Sequence, residues 1–156
     1  MTATNHALTG AFIGLVSGNP WLALPLAVVS HFVCDVIPHF DVPGESAEDR
    51  MGSKAFLYVQ IILGAVLCGL IVLSLAVLQP KHWLLAALCA FLAASPDLLY
   101  VPRFLHVRKT GHDNVAQFWF WQFHNDIQWF QRPIGAVVEV AWAIGMLVLI
   151  SPFISP

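Results

Sequence analysis

Charge is scarce in this sequence: seven lysines and arginines and nine aspartates and glutamates among 156 residues make a tenth of the chain, where a soluble domain carries about a quarter. With 58% hydrophobic residues, too little polar surface remains to cover a water-soluble globule, so the composition points to an integral membrane protein. A net charge of −2 excludes the electrostatic footprint of a nucleic-acid binder. Cysteine is nearly absent too. Cys34, Cys68 and Cys89 stand singly in apolar segments with no C-x-x-C spacing, which excludes a disulfide framework or a zinc knuckle and leaves them as small packing residues. There is no 20–50-residue repeat and no low-complexity tract. Residues 1–20 lack a basic start and a small-residue cleavage site, so no signal peptide is expected.

What is present is a succession of apolar runs separated by breakers, which predicts an all-α, polytopic membrane bundle of about six helices in one domain, residues 1–156. A short N-terminal helix runs from about Asn5 to Ser17 and stops at Gly18-Asn19-Pro20, a turn whose proline is set to start the next helix. That second helix reaches Ile37 before Pro38, and residues 38–55 form a polar loop. Phe56 to Leu78 carries no charge and at about 1.5 Å per residue crosses a hydrocarbon core of about 30 Å. Trp83 to about Val101 returns the chain. An aromatic helix is expected from about Asp113 to Gln131, and Pro133 opens a last span to about Ile150.

With helices 1 and 2 as a hairpin and the later spans crossing fully, Arg50, Lys54, Arg103, Arg108, Lys109 and Arg132 fall on one side and Lys81 alone on the other. This bias puts the N-terminus and the loops after helices 2 and 4 in the cytoplasm of an inner-membrane, multi-pass protein. All histidines but His82 then lie towards the cytoplasmic side.

The densest chemistry is at His31, Asp35, His39 and Asp41, four metal-ligand side chains in eleven residues. Left without partners in an apolar setting, each would cost several kcal/mol. A separation of four puts His31 and Asp35 on one helical face, a spacing that either chelates a metal or forms a hydrogen-bonded pair; inside an apolar helix the metal reading is the one taken. His6 begins a row with Gly10, Gly14 and Gly18, a face that lets a neighbouring helix pack closely; close packing against helix 2 would bring His6 near Asp35 or His39. Asp97 follows Ser95-Pro96, where proline frees a carbonyl one turn earlier and bends the helix; it is read as a further ligand, against capping or pairing with Arg103. Glu139 has no basic residue at spacing three or four in its own helix. It is taken as a catalytic base, as is Asp41. His31, seven residues before Pro38, and Glu139, six after Pro133, should lie at a common depth of about 10 Å below the helix ends.

Residues 118–130 hold seven aromatics in thirteen residues, suited to the headgroup region. Gln117, Trp121, His124, Gln128 and Gln131 share one face, which lays His124 across the pocket mouth as a ligand and leaves Gln128 to meet substrate. Arg103, Arg108 and Lys109 form a basic loop drawn to anionic lipid and able to steer a phosphate headgroup.

The segments NHALTGAFIG, SHFVCDVIPHFD, ASPDLL and FHNDIQWF together resemble the family of membrane-bound metal-dependent hydrolases, small bacterial inner-membrane proteins. The resemblance implies a polytopic helical protein with a histidine and aspartate metal site near the membrane surface. It carries onto His6, His31, Asp35, His39 and Asp97, with His124 beside them. The His31–Asp35 pattern is also similar to the His-x-x-x-Asp pair of zinc-dependent phospholipase C and its nuclease relatives, whose His-x-x-x-Glu is missing because position 135 is glycine.

The function expected is a metal-dependent hydrolase of a membrane-associated, lipid-like or phosphorylated ester, with one or two divalent ions. Zinc is preferred, with manganese or iron admissible. Membrane lipid is the partner and no nucleic acid is expected. The alternatives are a transporter or channel for metal ions or protons, and a non-catalytic scaffold with a structural metal.

Overall fold

In the computed structural model the described residues are 1–40, 54–99, 101–102, 105–106, 109, 119–129 and 132–154. Among them the architecture is all-helical: α1 (Ala3–Ser17), α2 (Pro20–Val36), α3 (Lys54–Leu78), α4 (Trp83–Leu98), α5 (Trp119–Ile127) and α6 (Gly135–Ile154). Two of these are long and apolar enough to cross a membrane. They are Tyr58–Leu78 of α3, with mean hydropathy 3.0, and Gly135–Ile154, with 2.2. α2 and α4 are apolar but shorter, at 17 and 16 residues.

Helix ends fall where local chemistry sets them. Gly18 closes α1 in the left-handed region (φ 59°), a conformation that costs glycine nothing. Asn19 Oδ1 accepts the Trp21 N–H at 3.0 Å, capping α2, and Pro20 occupies its first turn. α2 stops at Val36 because Ile37, preceding Pro38, is pushed to extended backbone (ψ 140°). The last helix runs four residues beyond the expected Ile150, to Ile154.

α1 is the centre of the molecule and packs against α2, α3, α4 and α6. Glycines make that possible. A Cβ on Gly10 would lie 2.2 Å from the Cys89 carbonyl oxygen, and one on Gly14 would lie 2.5 Å from Ala86 Cα. The backbones of α1 and α4 therefore meet almost directly through small residues, so the neighbour on the Gly10 and Gly14 face is α4 and not the expected helix 2. Leu8 and Leu15 join Leu75 of α3 and Ile150 of α6 in one apolar cluster. The far sides of α3 and α6, with Ile62, Leu63, Leu70 and Leu73 and with Val137, Val140 and Val148, are exposed. Polar residues go inward instead: Asn5, His6 and Thr9 of α1 are buried, and Thr9 Oγ1 accepts the Trp142 indole N–H at 2.9 Å, fastening α6 to α1.

Candidate metal centre

The site grows from α2. His31 and Asp35, one turn apart, both face the bundle interior and are fully buried. Opposite them α4 carries Pro96, whose missing amide leaves the Leu92 carbonyl without its helical donor. Ser95 Oγ takes over that carbonyl at 2.9 Å. The next carbonyl, Ala93, lies 2.8 Å from His31 Nδ1. A carbonyl only accepts, so Nδ1 carries the proton and Nε2 presents a lone pair, the tautomer found in metal-ligating histidines braced by a backbone oxygen.

Around His31 Nε2 gather His124 Nε2 at 2.9 Å, Asp35 Oδ2 at 3.3 Å and Asp97 Oδ1 at 3.7 Å. His124 Nε2 is itself 2.8 Å from Asp35 Oδ2. His31, Asp35, Asp97 and His124 each offer one ligand atom with all four atoms inside 4.8 Å, so they could hold a metal ion. The fit is close, since a tetrahedral ion with bonds of about 2.0–2.1 Å has ligand-to-ligand edges of about 3.3 Å.

Asp35 is the hub. Gln128 Nε2 donates to its Oδ2 at 3.0 Å; on the other side Oδ1 meets His6 Nε2 at 3.1 Å and accepts from the Met1 amino group. Taking a carboxylate out of water costs several kcal/mol unless such partners surround it. The His6 contact is close but poorly aligned, and neither ring nitrogen of this buried side chain makes a well-directed hydrogen bond. Its ring stacks on His31 with centroids 4.1 Å apart.

α5 is held over α2 by aromatic packing. Phe32 lies with ring centroids 5.6 Å from Phe123, 6.3 Å from Phe120 and 5.8 Å from His124. Trp129 Nε1 donates to the Val36 carbonyl at 2.9 Å, satisfying an orphan acceptor at the end of α2.

The residues singled out by sequence thus divide. His31, Asp35, Asp97 and His124 come together, with His6 against the second oxygen of Asp35. His39 is buried nearby with Nδ1 turned to the Ile37 carbonyl at 2.8 Å, outside the group of four. Burial, followed by the Met1 ammonium, lowers its pKa. Gln128 was expected to meet substrate, yet its amide is engaged with Asp35. Lys109 is exposed. Asp41, Arg103 and Arg108 lie outside the described residues.

Glu139 has partners that its own helix does not supply. Its carboxylate accepts from Thr2 N at 3.0 and 3.2 Å, from Thr2 Oγ1 at 2.7 Å and from Asn5 Nδ2. It caps the N-terminus of α1, where an anion also meets the positive end of the helix dipole. Thr2 and Asn5 were not foreseen as its partners. The one trace in the sequence is a capping-type threonine ahead of a helix whose own amides it does not cap. No family model, no characterised protein and no solved structure matches the chain.

Proposed function

We propose that this chain is a multi-pass inner-membrane hydrolase that uses one or two divalent ions, zinc by preference, to cleave a phosphoester or related ester of a lipid-like substrate at the cytoplasmic face. The observation that carries the reading is the meeting of His31 Nε2, Asp35 Oδ2 and His124 Nε2 at 2.8–3.3 Å. Since the Nδ1 proton of His31 is committed to the Ala93 carbonyl, the His31 lone pair, His124 Nε2 and a carboxylate oxygen that already accepts from Gln128 converge with at most one ring proton, on His124, between them. A cation at their centre satisfies all three.

The mixed imidazole and carboxylate set suits zinc and also admits manganese or iron. When bound, such an ion lowers the pKa of a coordinated water and stabilises negative charge on an ester oxygen. The chain's own residues exclude bulk water from the ligands and fix their orientation. Trp119, Phe123 and Trp129 are exposed beside His124, which favours a substrate held at headgroup level. The basic residues Arg103, Arg108 and Lys109 complement an anionic headgroup. The resemblance to membrane-bound metal-dependent hydrolases implies the same kind of histidine and aspartate metal site near the membrane surface.

The test is turnover by detergent-purified protein on phosphatidic acid in mixed micelles and on p-nitrophenyl phosphate. The reading expects hydrolysis that EDTA abolishes, that zinc restores and that His31→Ala lacks. Tightly bound metal with no turnover on either substrate supports a structural metal instead. Metal or proton flux in proteoliposomes supports transport.

A further inference from the structure

Resting on the metal reading above, we infer that the protein supplies three ligands, His31, Asp35 and His124, and that the fourth coordination position takes a small exogenous ligand which Asp97 faces. Asp97 differs from the other three in distance, in exposure and in support. The three make mutual approaches of 2.8, 2.9 and 3.3 Å, at or somewhat under the edge of about 3.3 Å expected for coordinated atoms. Asp97 Oδ1 stands 3.7 Å from His31 Nε2, outside hydrogen-bond distance though still inside the 4.8 Å within which all four ligand atoms fall.

The side chains of His31, Asp35 and His124 are fully buried, whereas that of Asp97 is 33% exposed. Among the described residues, the open side of the site is therefore the side on which Asp97 stands. Two of the buried ligands are also braced from behind, His31 at Nδ1 by the Ala93 carbonyl and Asp35 at Oδ1 by the Met1 amino group. Such bracing is what orients a permanent ligand. Asp97 sits instead in the last turn of α4, just beyond Pro96, where the helix is ending.

Three protein ligands and an open position are the arrangement of catalytic zinc, while four make a closed structural site. On this geometry the ligand that enters is water or an anionic oxygen. Asp97 meets it across the coordination sphere as a hydrogen-bond acceptor for water and as a like charge for an anion.

Cobalt(II) is the probe, loaded into wild type, Asp97→Asn, Asp97→Ala and His31→Ala in detergent, with folding checked by circular dichroism. The metal is quantified, and the visible ligand-field spectrum is titrated with azide. The inference expects one cobalt per chain in wild type and a spectrum that azide changes. It expects cobalt affinity within about threefold of wild type in both Asp97 variants, against a loss of at least about 10–100-fold in His31→Ala. Azide should bind about tenfold more tightly once the like charge of Asp97 is gone.

Cobalt affinity falling in Asp97→Asn as far as in His31→Ala would make Asp97 a ligand and overturn the inference while leaving the metal site standing. A wild-type spectrum indifferent to saturating azide would overturn it in the same way, and this arm decides even if neither Asp97 variant folds. Failure of wild type to take up cobalt would remove the metal reading itself.

Discussion

His31 and His124, ninety-three residues apart, bring their Nε2 atoms within 2.9 Å of each other. One belongs to α2 and the other to the short aromatic helix α5, so any ion between them ties the two helices together. Phe32, next to His31, forms the apolar part of the same junction.

Phe32→Ala should therefore weaken metal binding without removing a ligand. Losing the ring contacts with Phe120 and Phe123 costs about 2–3 kcal/mol for a half-buried phenylalanine. That loss loosens the helix holding His124 and should lower zinc affinity about tenfold, the scale typical of residues that orient ligands. Competition against a chromophoric chelator measures it, and unchanged affinity would show that α5 is held by other contacts.

Glu139 is expected to act on stability and not on metal. Glu139→Gln turns an amide N–H₂ towards the Thr2 and Asn5 donors, and each charge-assisted hydrogen bond lost costs about 1.5–3 kcal/mol. The thermal midpoint should fall while metal content stays at the wild-type level. Loss of metal with an unchanged midpoint would return Glu139 to the site.

This residue also shows how far the sequence reaches. Spacing along one helix revealed that His31 and Asp35 share a face, that Pro96 singles out Asp97 and that His124 sits on the polar stripe of the aromatic helix. Those three signals are local, and all four residues converge. The partners of Glu139 come from Thr2 and Asn5, more than 130 positions away, and no periodicity within α6 could announce them. Gln128, read as facing substrate, follows the end of α5 at Ile127 and turns its amide to Asp35 on α2, a partner that spacing within one segment does not name. Most helices were plain from apolar runs and breakers, because proline, glycine and hydrophobic length act locally; the aromatic helix, expected to reach Gln131 on its aromatic content, ends at Ile127.

Gly10→Ala should destabilise the bundle by about 1–3 kcal/mol, since its Cβ would come 2.2 Å from the Cys89 carbonyl oxygen and backbone must move to relieve the clash. Gly69 in α3 has nothing within 4 Å of such a Cβ, so Gly69→Ala should be neutral or stabilising by up to about 1 kcal/mol. Thermal unfolding of both variants in one detergent makes the comparison, and equal effects would contradict close α1–α4 packing.

The basic residues predict a sidedness that labelling can check. With an impermeant thiol reagent on intact cells, Lys81→Cys should label directly and Ala47→Cys only after permeabilisation. The reverse pattern would turn the site to the outer face.

The central claim is that His31, Asp35 and His124 hold a metal. Elemental analysis of the detergent-purified chain beside His31→Ala tests it most directly. The account predicts at least one zinc, manganese or iron ion per wild-type chain and a loss to background in the variant. A wild-type chain that stays folded, carries no transition metal and is indifferent to chelator would contradict it.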